Sequence, residues 1–155
     1  LGFALIIFLL MIDLSRSALA EPVCVTAVKA NLHTGPGVNY PVSWTVGQHM
    51  PLMRIAKKGA WSQVKDCDGE IHWISSSALS PNVACAVIKS KVAKLMKGPG
   101  SKYQPADLAV ADKYTPFRKV DRDGQWLLVR DEYKAEYWIH ENDLWIPVVR
   151  SKIAF

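Results

Sequence analysis

Cysteine is scarce in this chain, with three among 155 residues. Cys24, Cys67 and Cys85 form no C-x-x-C pair, and His33, His49, His72 and His140 are scattered along the sequence. Ligand spacing of the kind that holds zinc is therefore missing, and no metal or cofactor is expected. Beyond the first twenty residues no segment keeps a 3.6-residue apolar period for a dozen positions, so long amphipathic helices are excluded. Catalytic groupings are equally thin. A cysteine hydrolase needs a histidine and an orienting group beside its nucleophile. Cys67 instead lies between Asp66 and Asp68, whose charges disfavour the thiolate. Asp121 and Asp123 look like turn residues rather than an acid–base pair. The chain is read as non-catalytic, with a cysteine-dependent enzyme as the weaker alternative.

One long hydrophobic run is present, from Leu1 to Ile12, followed by a polar stretch and Ala18-Leu19-Ala20. An apolar core with an A-x-A triplet behind it is the pattern of a secretory signal, although no basic stretch precedes it and the chain does not begin with Met. The run falls short of the roughly 20 residues of a spanning helix. Export to the periplasm or the extracellular space, with cleavage after Ala20, is expected. An oxidising compartment then predicts one disulfide among Cys24, Cys67 and Cys85, with one thiol left over. Loop entropy does not choose the pair, since every closure gives roughly 3 to 4 kcal/mol.

What the remaining sequence has in abundance is repetition. Ala30, Leu32, Gly35, Pro36, Gly37 and Tyr40 return 63 positions later as Ala93, Leu95, Gly98, Pro99, Gly100 and Tyr103. Gly59, Trp61, Val64, Asp66, Trp73, Ile74 and Leu79 return after 65, as Gly124, Trp126, Val129, Asp131, Trp138, Ile139 and Leu144. The two-residue slip marks a loop insertion inside a duplicated unit. Each copy has about 60 residues, a size that buries only about 60% of its unfolded surface, so each gains by packing on its twin.

Within each copy, short runs rich in β-branched and aromatic residues are separated by polar turns, as in Trp61–Val64, Asp66–Gly69 and Ile71–Ile74. Single helical turns are expected at Ser76–Leu79 and Glu141–Leu144. The Gly-Pro-Gly elements fall in non-strand segments, Asn31–Pro41 and Lys94–Pro105, where proline fixes one backbone angle and the glycines allow a positive φ, so an ordered excursion is expected. Asp68-Gly69 makes a good hairpin turn. Its counterpart Tyr133-Lys134 has no residue that easily takes a positive φ, so a different turn is expected there. Short antiparallel strands in so small a unit avoid exposed edges by closing into a barrel.

The order A-x-L-x-x-G-P-G-x-x-Y, G-x-W-x-x-V, W-I and a closing Leu resembles the bacterial SH3 domain, SH3b, over residues 24–80 and again over 85–146. A signal segment (1–20) precedes the copies and a short tail (147–155) follows. The resemblance implies an all-β chain of two tandem small SH3-like barrels. It also implies a non-catalytic exported module that binds a cell-envelope ligand, such as peptidoglycan or its peptide stems. An adaptor for another exported protein is the alternative.

The candidate binding surface is aromatic: Trp61 and Trp126 beside Tyr40 and Tyr103, able to stack on a sugar face or a proline ring. Trp73 and Trp138, in apolar W-I pairs, are expected in the core, and Trp44 and Trp145, unmatched between copies, are expected between them. His33 and Thr34 face Met96 and Lys97 in the alignment, so the copies should not read a ligand identically. Lys89, Lys91, Lys94, Lys97 and Lys102 form a basic stripe. Lys89 and Lys91 would share one strand face; the stripe reads as a solvated face that guards an edge strand, with weak contact to an anionic membrane or polymer as the alternative. The +5 charge alone permits nucleic acid, but export argues against it.

Overall fold

Alternation with period two organises the chain. In Trp61–Lys65, Ser62 and Val64 are buried while Trp61 and Gln63 lie half-buried on the opposite face. The computed structural model describes residues 20–149; most of the segment read as an export signal and the end of the tail lie outside the described residues. Among the described residues no helix is long and apolar enough to cross a membrane.

The first copy contains β1 (Glu21–Val25), β2 (Lys29–His33), β3 (Val42–Gly47), β4 (Pro51–Lys58), β5 (Trp61–Lys65), β6 (Ile71–Ser75) and β7 (Leu79–Ser80). The second contains β8 (Cys85–Ile88), β9 (Val92–Met96), β10 (Pro105–Asp112), β11 (Pro116–Asp123), β12 (Trp126–Arg130), β13 (Glu136–His140) and β14 (Leu144–Trp145). Strand order is β3-β2-β6-β5-β4-β1-β7 in one and β10-β9-β13-β12-β11-β8-β14 in the other, so the two topologies are the same. The chain is thus all-β, two small barrels in tandem. Single 3-10 turns stand at Ser76–Ala78 and Glu141–Asp143, where the sequence placed them.

Leu32, Leu52, Val64 and Ile74 fill the first barrel, and Leu95, Phe117, Leu127, Val129 and Ile139 the second. The seam between them is also apolar. Val87 of β8 is fully buried in the first barrel's cluster, and Trp145 packs against the same cluster. Cys24 of β1 and Cys85 of β8 form a buried disulfide across the seam, Cα atoms 5.8 Å apart, and Cys67 is the free thiol. A second contact joins the barrels by their loops. Asp68, in the β5–β6 turn, accepts from Lys113 Nζ at 3.0 Å and from Tyr114 Oη at 2.5 Å. The Tyr114 ring meets Trp44 edge-on with centroids 5.4 Å apart. Trp44 and Trp145 do therefore line the contact between copies.

Several expectations give way. Trp73 and Trp138 are half-buried on the outer face, because the inward positions of their strands belong to His72 and Ile74 and to Tyr137 and Ile139. Lys134 takes a φ of 68° and builds the same turn as Gly69, whose φ is 86°. The reason is the aspartate at the turn's start: Asp131 Oδ1 accepts from Tyr133 N and Ala135 N, as Asp66 Oδ1 does from Asp68 N and Glu70 N, all at 2.9 Å. Those bonds offset the roughly 1 to 2 kcal/mol cost of a left-handed non-glycine residue. Lys89 and Lys91 do not alternate on a strand, since β8 ends at Ile88 and β9 begins at Val92. The non-strand segments are shorter than expected, with β2 and β9 reaching up to the Gly-Pro-Gly elements and β3 and β10 following them.

Thiol titration of the unreduced, denatured protein is expected to find one reactive cysteine, Cys67. Replacing Cys24 and Cys85 by serine should lower unfolding free energy by about 4 kcal/mol, measured by urea titration, because the bond closes a long loop.

Candidate functional site

The Gly-Pro-Gly elements are ordered for a steric reason. Gly35 and Gly98 do not have positive φ. A Cβ on Gly35 would collide with the ring of Tyr40, and one on Gly98 with the ring of Tyr103. Each glycine is thus a seat for the tyrosine five residues on, held by bonds from Tyr40 N to Gly37 O and from Tyr103 N to Gly100 O, both 3.2 Å. The rings lie flat on the loop with an exposed face. Such a ring loses little freedom when a ligand covers it.

The copies part company beside these tyrosines. In the first, β2 and β3 pair continuously except for one irregularity between Leu32 and His33. In the second, Pro105 pairs with Met96 and the next partners are Val110 and Lys94, so β10 bulges through Ala106–Ala109. The two extra residues behind the slip from 63 to 65 sit in this bulge. A groove of about 320 Å³ opens there, lined by Lys94, Met96, Tyr103, Pro105, Val110 and Trp126 among others. That volume is at the lower end of small-ligand sites. Its walls are apolar and aromatic, with the Lys94 side chain as the cation at its edge.

The structure therefore brings Tyr103 and Trp126 together at one groove. Tyr40 and Trp61 are exposed and half-buried at the corresponding places, but His33 stands between them. It is 7% exposed, its Nδ1 is 2.8 Å from Tyr40 O, and its ring meets Trp61 edge-on at 5.3 Å. His33 consequently does not face solvent. Trp126 has its own edge-on histidine, His140 at 5.2 Å, and the buried Met96, at the position of His33, forms part of the groove lining. Lys97 lies outside the groove lining and pairs with Asp107 at 3.4 Å. Lys94, foreseen only as part of a basic stripe, is the lysine at the groove.

A second, larger cleft of about 400 Å³ separates the barrels, with Trp44, Met50, Leu108, Tyr114, Phe117 and Tyr133 among its lining residues. Beyond Trp44 and Tyr114 it is continued by a smaller one bearing Ser43, Asp66 and His72. There Ser43 Oγ is 2.7 Å from His72 Nδ1, and His72 Nε2 is 3.0 Å from Asp66 Oδ2. No local motif announces this trio, because β3, the β5–β6 turn and β6 each supply one member. The available signal was the aligned pair His72 and Tyr137.

His49 has a nitrogen within 4.8 Å of both the Cys24 and the Cys85 sulfur. Those sulfurs are bonded to each other and offer no thiolate, so the group does not fit a metal in this form. Burial, followed by the charge of Arg118, lowers the His49 pKa. Cys67 is half-buried, and burial first, then Asp68 and Asp66, push its thiol up to about 11. Alkylation by iodoacetamide at pH 8 should accordingly be slow in the folded protein, rise steeply as pH approaches 11, and become fast at pH 8 in denaturant. Rapid modification of the folded form at pH 8 contradicts this account.

Residues 26–81 match the family described as bacterial SH3 domain. No curated protein matches the chain. Among solved structures the chain is similar to an NlpC/P60 family protein from Bacillus cereus, at 14% identity and a TM-score of 0.38, covering 82% of this chain and 56% of that one. It is similar also to NlpC1 from Trichomonas vaginalis, at 12% identity and a TM-score of 0.35, covering 84% and 47%. A third similarity is to the endolysin LysPBC5 CBD, at 14% identity and a TM-score of 0.31, covering 84% and 96%. The chain spans about half the length of the first two.

Proposed function

We propose, from the match of residues 26–81 to the bacterial SH3 domain family, that the protein is an exported, non-catalytic binding module of the cell envelope whose second barrel grips a peptidoglycan peptide. The observation that carries this reading is the groove made by the β10 bulge, where Tyr103, Met96 and Trp126 surround an apolar trough with Lys94 at its edge. Aromatic walls suit the aliphatic backbone and side chains of a short extended peptide, and an ammonium at one end suits a carboxylate. Peptide stems of the cell wall supply both. The first barrel, with His33 packed between Tyr40 and Trp61, serves chiefly to fix the second in place.

Export is supported by the apolar run Leu1–Ile12, by Ala18-Leu19-Ala20, and by a disulfide of the kind that persists in oxidising compartments. The first strand begins at Glu21, directly behind the expected cleavage position. Sequencing the N-terminus of protein recovered from the periplasm or medium of an expressing bacterium should therefore read Glu21-Pro22-Val23; retention of the protein in the cytoplasm would count against export.

Co-sedimentation with purified sacculi tests the binding. Wild type should pellet at low salt, Trp126→Ala should lose about tenfold in affinity, consistent with an aromatic contact of about 1.4 kcal/mol, and Trp61→Ala should lose little. Lys94→Gln should weaken binding and reduce its salt dependence. Circular dichroism checks that each variant is folded. A folded wild type that stays in the supernatant removes the cell-wall ligand and favours an adaptor for another exported protein.

A further inference from the structure

The first barrel carries a chain of hydrogen bonds that its twin lacks. Asp66 and Asp131 brace equivalent turns with Oδ1, each accepting two backbone N–H bonds. Oδ2 then needs a donor. In the second barrel Tyr137 supplies a hydroxyl at 3.1 Å and the chain ends there. In the first, His72 supplies Nε2 at 3.0 Å, and its other nitrogen lies 2.7 Å from Ser43 Oγ. A carboxylate only accepts, so Nε2 holds the ring proton and Nδ1 keeps its lone pair. The Ser43 hydroxyl is therefore the donor to Nδ1.

A hydroxyl hydrogen-bonded to a base, itself oriented by a carboxylate, is the constellation that activates serine nucleophiles. The ring nitrogens exchange the places they hold in serine proteases, which the chemistry permits because either nitrogen can take the proton. His72 and Asp66 are 8% and 7% exposed, whereas Ser43 is open to solvent. Tyr137 shows that the fold needs one donor to the aspartate and no more. The second nitrogen and the serine it reaches are an addition, and they face a cleft of about 240 Å³ beside Trp44 and Tyr114. Glu70 on the same cleft disfavours anionic compounds, while the charge of Asp68 is met by Lys113.

We propose that Ser43 is a nucleophilic serine that accepts acyl or phosphonyl groups from small uncharged esters and related electrophiles entering this cleft. Oγ forms a bond to the acyl carbon as its proton passes to His72 Nδ1. The bond from that carbon to the leaving oxygen breaks, and the imidazolium returns the proton to the departing alkoxide. The products are a Ser43 ester and an alcohol, with no change of oxidation state. Asp66 holds the ring through Nε2 and acts as a positioning residue. This reactivity is independent of the second-barrel groove, so loss of sacculus binding leaves it standing.

The test is covalent labelling of the full chain with an uncharged alkyl fluorophosphonate, read by intact mass and peptide mapping. One phosphonyl adduct per chain, with release of fluoride, is expected at Ser43, about 100-fold faster than in Ser43→Ala or His72→Tyr, the span of general-base assistance. His72→Tyr copies Tyr137 and keeps the donor to Asp66. Should it fail to fold by circular dichroism, His72→Gln keeps a donor without a base. Labelling elsewhere, no labelling, or equal rates in wild type and a folded His72 variant overturns the proposal.

Discussion

Two barrels of about 60 residues each cannot bury enough apolar surface to stand independently at ease, and the seam between β1 and β8 is what relieves that constraint. Val87 leaves its own barrel to complete the first one's core, and Trp145 packs against the same cluster. The Cys24–Cys85 bond lies in this seam, both cysteines buried. Once the seam is set, the loops on its flank are brought within reach. Only then do Tyr114 and Lys113 of one barrel meet Asp68 of the other, and only then does Trp44 acquire a wall opposite it. The clefts between the copies are consequences of the seam rather than properties of either unit.

Duplication left the framework alone and altered the attachments. The same turn aspartates, the same tyrosine seats and the same strand order recur. Against that background each departure is local and has a visible effect. Two extra residues in β10 turn a closed strand pair into a groove. Histidine in place of tyrosine at position 72 lengthens a hydrogen-bond chain by one member and delivers it to a surface serine.

How far the sequence could be followed depended on how local the cause was. The repeat, the bacterial SH3 resemblance, the 3-10 turns and the Tyr103–Trp126 pairing rest on near neighbours or on residues in fixed register, and they were legible. The outward turn of Trp73 was not, because an apolar W-I pair does not say which member faces in; His72 takes the inner face since Asp66 satisfies it there. Lys134 was misjudged on intrinsic preference, which the Asp131 carboxylate overrides with bonds visible only in three dimensions. The disulfide escaped comparison of the copies because its two ends are not equivalent positions: alignment sets Cys24 opposite Val87 and Cys85 opposite Pro22. The Gly-Pro-Gly motif was read as a place for positive φ, when its first glycine is there to leave room for a ring.

The position of the Cys24–Cys85 bond also decides how the molecule carries load. Its ends are 61 residues apart in sequence, one in the first strand and one at the threshold of the second barrel, so the whole of β2 to β7 is a side loop on the covalent path. A pull transmitted along the chain from its N-terminal side bypasses that loop and arrives at β8 directly. The first barrel is mechanically shunted and keeps its shape under tension, while the second, the one with the open groove, bears the force.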